Sequence, residues 1–92
     1  LSGEDITYVM SRYYNIPKGV YVRFINENSS ASKGGVKVGD VIVAINGTDI
    51  TTMNELNKIK DTFKPGDTIK LKVYRDGKNL ELPVVLSEAT KQ

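Results

Sequence analysis

A chain of 92 residues is long enough for one domain, and its 39% apolar and 26% charged residues are typical of a globular domain. A net charge of +2 is too small to indicate nucleic acid, and the absence of cysteine excludes disulfides and thiolate metal sites. The absence of histidine excludes a Ser-His-Asp triad and histidine metal sites. We therefore expect no catalytic centre, no metal and no cofactor in this chain.

The first quarter of the chain predicts a helix followed by a strand. Over residues 4–14, apolar side chains recur with the spacing of one helix face, at Ile6, Val9, Met10, Tyr13 and Tyr14. Residues 15–17 (N-I-P) should end this helix, because proline disfavours helix in the residue before it. Residues 20–25 are rich in β-branched and aromatic side chains, which predicts a strand with one face formed by Val20, Val22 and Phe24.

The next segment predicts a single helical turn that ends at a glycine. Ser29 or Ser30 can cap this turn, and Gly34 or Gly35 can supply the left-handed residue that stops it. A phosphate-binding loop is the weaker interpretation of these glycines. Such a loop needs a helix directly after it, and here Val36 and a second valine follow.

A buried strand and a capped helix are predicted in the middle of the chain. The continuous apolar run at residues 41–45 indicates a strand covered on both faces. The dipeptide Asn-Gly at 46–47 predicts a tight turn, and residues 48–50 a short return. Thr52 and Glu55 have the spacing of a capping box. The helix after it should turn three side chains inward, those of Leu56, Ile59 and Phe63.

The last third predicts a β-hairpin. The helix should stop before Pro-Gly at 65–66, and residues 69–74 then alternate apolar and polar side chains. Asp-Gly at 76–77 predicts the hairpin turn. The returning strand is lined by Leu80, Leu82, Val84 and Leu86. Pro83 should lie on an edge, because it cannot donate a ladder hydrogen bond.

The order of these elements predicts a small α+β domain, built as a partly open antiparallel β-barrel with two helices closing its ends. Two groups of residues leave a choice of interpretation. The lysines and tyrosines could form a nucleic-acid surface, but the acids interspersed among them favour an ordinary solvated face. Met53 either fills a gap in the core or lines a groove, where its flexible thioether would adapt to varied apolar side chains.

The run G-V-x-V-G-D-V-I-V-A-I-N-G-x-x-I at residues 35–50, together with the order of elements, resembles a PDZ domain. Residues 1–7 leading into a helix, residues 14–22 and the closing hairpin at residues 73–78 are similar to the circularly permuted PDZ domains of bacterial HtrA/Deg-type serine proteases. In those domains, the last strand has the structural role of the first strand of animal PDZ domains. The resemblance implies a PDZ domain at residues 1–87 and a polar tail at residues 88–92.

The resemblance also implies a peptide groove. In the family, an apolar-Gly-apolar loop donates backbone N–H groups to the C-terminal carboxylate of a peptide, which adds as a strand beside the segment after the loop. The implied peptide-binding residues in this sequence are Leu1, Ser2, Gly3, Ile6, Met53, Leu56, Asn57 and Lys60. The first part of that loop would precede Leu1, so we expect weak binding or a frayed groove in this chain.

The function implied is that of a non-catalytic peptide-binding module of an HtrA-like serine protease, which presents substrate or regulates the protease. Expected partners are C-termini of unfolded or misfolded proteins, the protease domain of the same chain and further copies of the parent protein in a homo-oligomer. Nucleic-acid binding and membrane insertion by this fragment are not expected. The expected location is extracytoplasmic, at the cell envelope or the extracellular face, with a membrane-anchored parent. The alternatives are a PDZ domain of a site-2 or Lon-like peptidase, and a domain that mediates oligomer assembly.

Overall fold

The structure, a computed structural model, describes residues 2–25, 30–64 and 66–86. In this part of the chain, six strands and three helices follow one another. In chain order they are β1 (Ser2–Asp5), α1 (Tyr8–Tyr14), β2 (Val20–Phe24), α2 (Ser30–Lys33), β3 (Val41–Ile45), β4 (Thr48–Asp49), α3 (Met53–Lys60), β5 (Thr68–Arg75) and β6 (Lys78–Val85).

All six strands belong to one antiparallel sheet. The strand order is β1-β2-β3-β5-β6, and β4 pairs with β3 outside this path. The sheet is open, because β1 and β6 lie at its two ends rather than pairing with each other. Pro83 lies on the edge strand β6, as predicted from its missing N–H. The predicted α+β class, with antiparallel and partly open β-structure accompanied by helices, is confirmed.

The strand β3 is buried on both faces, as its continuous apolar run predicts. On one side it pairs with β5 along most of its length. Its other side is shared, since Val41 and Ile42 pair with β2 whereas Ala44 and Ile45 pair with β4. The core of the domain therefore lies around β3. Its largest fully buried apolar side chains are Ile42, Ile45, Ile50, Val20, Val22 and Val73.

The two predicted tight turns are confirmed, and both contain consecutive left-handed residues. Asn46 and Gly47 have φ values of 50° and 81°, and Asp76 and Gly77 have 51° and 78°. Two successive positive φ values are the mark of the hairpin turn whose twist matches the flanking strands. Asparagine and aspartate tolerate this conformation better than other side chains do.

A buried ion pair joins the loop before β3 to the end of β5. The carboxylate of Asp40, which is 1% exposed, accepts hydrogen bonds from the Arg75 guanidinium at 2.7 and 2.6 Å. The same carboxylate accepts the Lys37 backbone N–H at 2.8 Å, and Arg75 also donates to the carbonyl of Gly35. The hydrogen bond to Asp40 raises the pKa of Arg75 above its ordinary value. Together these contacts hold residues 35–40, the segment that leads into the central strand β3.

The helix α3 begins at the predicted capping box, with one difference in its hydrogen bonds. The Thr52 hydroxyl accepts the Glu55 backbone N–H at 3.1 Å, as expected for the cap. The Glu55 carboxylate accepts from the backbone N–H and hydroxyl of Thr51, at 2.8 and 3.0 Å. It therefore reaches one residue further back than the standard box. The backbone hydrogen bond from Thr51 is the main cause that lowers the pKa of Glu55.

The predicted helix at residues 4–14 is wrong in its first half and in the face that it buries. Glu4 and Asp5 lie in β1 and pair with β2, and the helix begins only at Tyr8, after the cap residue Thr7. Of the expected apolar stripe, Ile6 is buried, but it precedes the helix. Within the described part of the chain, no residue of α1 is buried. Three of the remaining stripe residues are exposed, and these are Val9, Tyr13 and Tyr14.

Three smaller expectations also need correction or fall outside the described residues. Phe24 is 61% exposed rather than inward, whereas Ile25 packs against the core, so the alternation of β2 breaks at its end. The helix α3 ends at Lys60, so Phe63 lies beyond its end. The backbone N–H of Phe63 donates to the carbonyl of Lys60, a hydrogen bond that spans three residues and forms a tighter turn than an α-helix does. The helix α2 already includes Ser30, and the other cap candidate, Ser29, lies outside the described residues.

We predict that Arg75→Ala lowers the free energy of unfolding by about 3 kcal/mol, because it leaves the buried Asp40 carboxylate without its charged partner. The measurement is urea unfolding followed by circular dichroism. Arg23→Ala is the matched control, since Arg23 pairs with Glu4 on the surface, and it should cost less than about 1 kcal/mol. Equal losses in the two variants would contradict the structural role given to the buried pair.

We also predict that the stabilisation by Glu55 depends on pH. Because its pKa is lower in the folded chain, its contribution is present above the unfolded pKa of glutamate and is lost as the pH falls through the folded value. Glu55→Gln should therefore be less stable than the wild-type chain at neutral pH, and this difference should shrink in acid. Thermal unfolding across pH 2–7 measures it. A difference that stays constant over this range would rule out the carboxylate as its source.

Candidate functional site

The strand β1 and the helix α3 form the two sides of a candidate groove. On one side, β1 pairs antiparallel with β2, from Ser2 opposite Phe24 to Asp5 opposite Val20, with an irregularity between Ser2 and Gly3. Its other edge has no strand partner among the described residues. The helix α3 lies next to β1. An edge strand presents a row of unpaired backbone N–H and C=O groups, so this edge can accept a further strand.

Gly3 and Met53 meet at the start of α3. A Cβ placed on Gly3 would lie 2.5 Å from Val20 Cγ1 and 3.2 Å from the sulfur of Met53. A side chain at position 3 would therefore collide with its neighbours, and glycine is required by close packing here. Met53 is half-buried and packs against the core. The side chain of Met53 thus contacts both the core and β1. It can therefore fill a gap in the core and also face the candidate groove.

A hydrogen bond joins the two sides of the groove. The carboxylate of Asp5, the last residue of β1, accepts the backbone N–H of Met53, the first residue of α3, at 2.7 Å. This contact cannot be predicted from the sequence, because the two residues are 48 positions apart and no local pattern connects them. An acidic residue beside the N-terminus of a helix is also electrostatically favourable.

The other predicted site residues differ in their exposure. Leu56 is 5% exposed and belongs to the core cluster, and Ile6, directly after β1, is 3% exposed. Asn57 and Lys60 are half-buried on α3. They follow Met53 at i+4 and i+7, a spacing that puts the three on one face of the helix. Ser2 lies in β1, and Leu1 lies outside the described residues.

Side chains of opposite charge lie at the two ends of α3. Asp5 lies against its first residue, whereas Lys58 and Lys60 belong to its last turn. With a rise of 1.5 Å per residue, Lys60 lies about 10 Å along the helix axis from Met53. A ligand lying along α3 would therefore meet a carboxylate at one end and an ammonium group at the other.

Neither metal binding nor a membrane-spanning helix is indicated within the described residues. Across residues 2–25, 30–64 and 66–86, no group of three or more acidic side chains could hold a metal ion. Among the helices in these ranges, none is long and apolar enough to cross a membrane. The arrangement of β1 and α3 is best suited to hold an extended chain through backbone hydrogen bonds and apolar contacts.

Comparison with known proteins agrees with this geometry. The family model described as "PDZ domain" matches residues 5–86. The periplasmic pH-dependent serine endoprotease DegQ of Escherichia coli K12 is 32% identical over 92 residues, covering 98% of this chain and 20% of that protein. The serine protease Do-like HtrA of Bacillus subtilis is 40% identical over 73 residues, covering 77% of this chain and 16% of that protein. This chain thus spans a fifth or less of the length of these two relatives.

Solved structures give the same result. The HtrA3 PDZ domain bound to the phage-derived ligand FGRWV superposes with a TM-score of 0.79 at 27% identity, covering 92% of this chain and 79% of that chain. The HtrA-type protease AlgWS227A with a decapeptide gives a TM-score of 0.85 at 20% identity, covering 95% of this chain and 27% of that chain, and supports the fold alone. This chain therefore belongs to the PDZ domain family, and its curated relatives include HtrA- and Deg-type serine proteases.

Proposed function

We propose that this domain binds the C-terminus of a polypeptide as an additional strand along β1, in the groove that β1 and α3 enclose. The observation that carries the proposal is the outer edge of β1, which has no strand partner in the part of the chain that the structure describes and lies beside an apolar and half-buried face of α3. Backbone hydrogen bonds to such an edge give affinity, and side-chain pockets give selectivity. The HtrA3 PDZ domain, 27% identical to this chain, was solved bound to the phage-derived ligand FGRWV, which supports the same use here.

Each proposed site residue has a role in this arrangement. Ser2 and Gly3 supply the backbone that pairs with the ligand, and Leu1, which lies outside the described residues, matches the last apolar position of the carboxylate loop. Met53 and Leu56 would contact apolar side chains of the ligand along α3, and Ile6 is buried directly after β1. Asn57 and Lys60 extend the same face of α3, where the Lys60 ammonium group would attract the terminal carboxylate. The ligand therefore runs antiparallel to β1, with its C-terminus near Ser2.

The biological setting is proposed from the relatives. The two curated relatives named above are serine proteases, and DegQ is a periplasmic serine endoprotease. We infer an extracytoplasmic, membrane-anchored parent with a protease domain in the same chain. In it, this domain would recognise exposed C-termini of unfolded or misfolded proteins, and so present substrate or regulate the protease. A parent of the site-2 or Lon-like kind is less well supported, because the relatives compared above are HtrA- and Deg-type proteases.

Assembly of the parent is the second candidate function. The same open edge of β1 could pair with a segment from a neighbouring copy instead of a substrate. Light scattering over a range of protein concentrations separates the two functions. A monomer that binds free peptide supports substrate recognition, whereas an oligomer that peptide cannot dissociate supports assembly.

We predict that a free terminal carboxylate strengthens binding. A fluorescent peptide ending in apolar residues should bind about tenfold more tightly than its C-terminal amide, because charge-assisted hydrogen bonds are lost on amidation. Fluorescence anisotropy measures both affinities. Equal affinities for the two peptides would contradict recognition of a C-terminus.

We predict that Met53→Ala weakens binding of the same peptide about three- to tenfold, because it removes the thioether beside Gly3. Met10→Ala is the matched control, since Met10 lies on α1 and is half-buried to a similar degree. It should leave the affinity unchanged within twofold. The groove assignment is wrong if the control variant weakens binding as much as Met53→Ala does.

A further inference from the structure

The turn between β3 and β4 contains a pair of residues that can react with each other. Asn46 and Gly47 are both exposed, and no other asparagine of the chain precedes a glycine. The backbone nitrogen of Gly47 can attack Cγ of Asn46, because glycine has no side chain that obstructs the approach. A bond forms between this nitrogen and Cγ, the bond from Cγ to Nδ2 breaks, and ammonia leaves with the proton of the Gly47 N–H. Water then opens the cyclic imide at either carbonyl group, which gives aspartate or isoaspartate.

The backbone of the folded turn holds Asn46 in a conformation that cannot form this ring. Asn46 has a φ of 50°, in the left-handed region, where ψ is about +47°. At this ψ, Cβ of Asn46 and the nitrogen of Gly47 lie nearly opposite each other across the Cα–C bond of Asn46. Ring closure needs the same two atoms on one side of that bond, almost eclipsed. The turn must therefore leave its left-handed conformation before the reaction can begin.

Two hydrogen bonds to β5 hold Asn46 in the unreactive conformation. Its backbone N–H donates to the carbonyl of Lys70 at 2.8 Å, and its Oδ1 accepts the backbone N–H of Lys70 at 2.7 Å. Lys70 belongs to β5, so the turn is anchored to a third strand besides the two that it joins. Opening the turn breaks both hydrogen bonds, so the reactive conformation is a minor one in the folded chain.

We propose that Asn46 is a site of spontaneous deamidation that the fold keeps unreactive, so that modification marks molecules whose β3–β4 turn has opened. The inference is independent of peptide binding, because it involves neither β1 nor α3. Isoaspartate routes the main chain through its side chain and so adds one methylene group to the backbone. A two-residue turn fixes the register of its strands, so this addition disturbs the pairing of Ile45 with Thr48. A transient opening thereby becomes a permanent defect at the end of the central strand β3.

The first test compares deamidation of Asn46 in the folded chain and in the same chain unfolded by urea. Both samples are kept in a mildly alkaline buffer, digested after set times and analysed by liquid chromatography and mass spectrometry. A peptide of residues 44–51, measured in both buffers, corrects for any effect of urea on the reaction itself. We expect Asn46 to react at least about tenfold more slowly in the folded chain, because both hydrogen bonds to Lys70 must break first.

Asp76→Asn provides an internal control, because it creates a second asparagine-glycine pair in the same molecule. Asp76 and Gly77 have almost the same φ values as Asn46 and Gly47. Their turn joins β5 to the terminal strand β6, and within the described residues no hydrogen bond ties the Asp76 side chain to a further strand. Asparagine suits this type of turn, so the variant should fold. We expect position 76 to react about tenfold faster than Asn46 in the folded variant.

Each result decides one part of the proposal. Equal rates in the folded and unfolded chains would overturn the protection of Asn46 by the fold. Equal rates at positions 46 and 76 would overturn the role of the two hydrogen bonds to Lys70. An Asn46 that stays unmodified in urea would refute it as a site of deamidation. If Asp76→Asn fails to fold, the comparison of folded and unfolded wild-type chains still decides whether the fold protects Asn46.

The effect on the fold is tested on the modified molecules themselves. Isoaspartate-containing molecules are separated by ion-exchange chromatography after removal of urea, and their thermal unfolding is followed by circular dichroism. Asn46→Asp is the matched control, since its carboxylate can still accept the Lys70 N–H. We expect the isoaspartate form to unfold at a lower temperature than Asn46→Asp. An isoaspartate form that is as stable as this variant would overturn the claim that deamidation makes the opening permanent.

Discussion

The strand β3 is buried on both faces and paired along both edges, and the rest of the domain is arranged around this requirement. An apolar strand in this position needs side chains above and below it, which the sheet and the helices provide. It also needs hydrogen-bonding partners on each side, which are β5 on one side and β2 with β4 on the other. The Asp40–Arg75 ion pair fixes the chain as it enters this strand.

The candidate function depends on the position of β1 at one end of the sheet. Pairing with β2 places β1 at the end of the sheet, with one edge turned away from its partner. Open strand edges invite association, and proteins protect them by keeping them short or covering them. Here β1 has four residues, and the start of α3 is bonded to Asp5 at its end. The same features that protect the edge define a short groove beside it.

The sequence predicts those parts of the fold that depend on neighbouring residues. The hairpin turn at Asp76-Gly77 and the Thr52 cap of α3 are of this kind. The prediction of a helix over residues 4–14 is wrong in its first half, because no local sequence pattern indicates that β1 pairs with β2. The site residues can be predicted only from the family resemblance, because no pattern in the sequence indicates which strand edge is open. The Asp5–Met53 contact could not be predicted, because it joins residues that are distant in sequence.

Amide hydrogen exchange across the whole chain, with and without a peptide that has an apolar C-terminus, tests the central claim most directly. The sheet has two terminal strands, β1 and β6, so each edge serves as the control for the other. If the ligand adds to β1, the backbone N–H groups of β1 that point away from β2 should exchange more slowly when peptide is present, while those of β6 stay unchanged. Slower exchange in β6 alone, or no change in β1 at saturating peptide, would contradict the account.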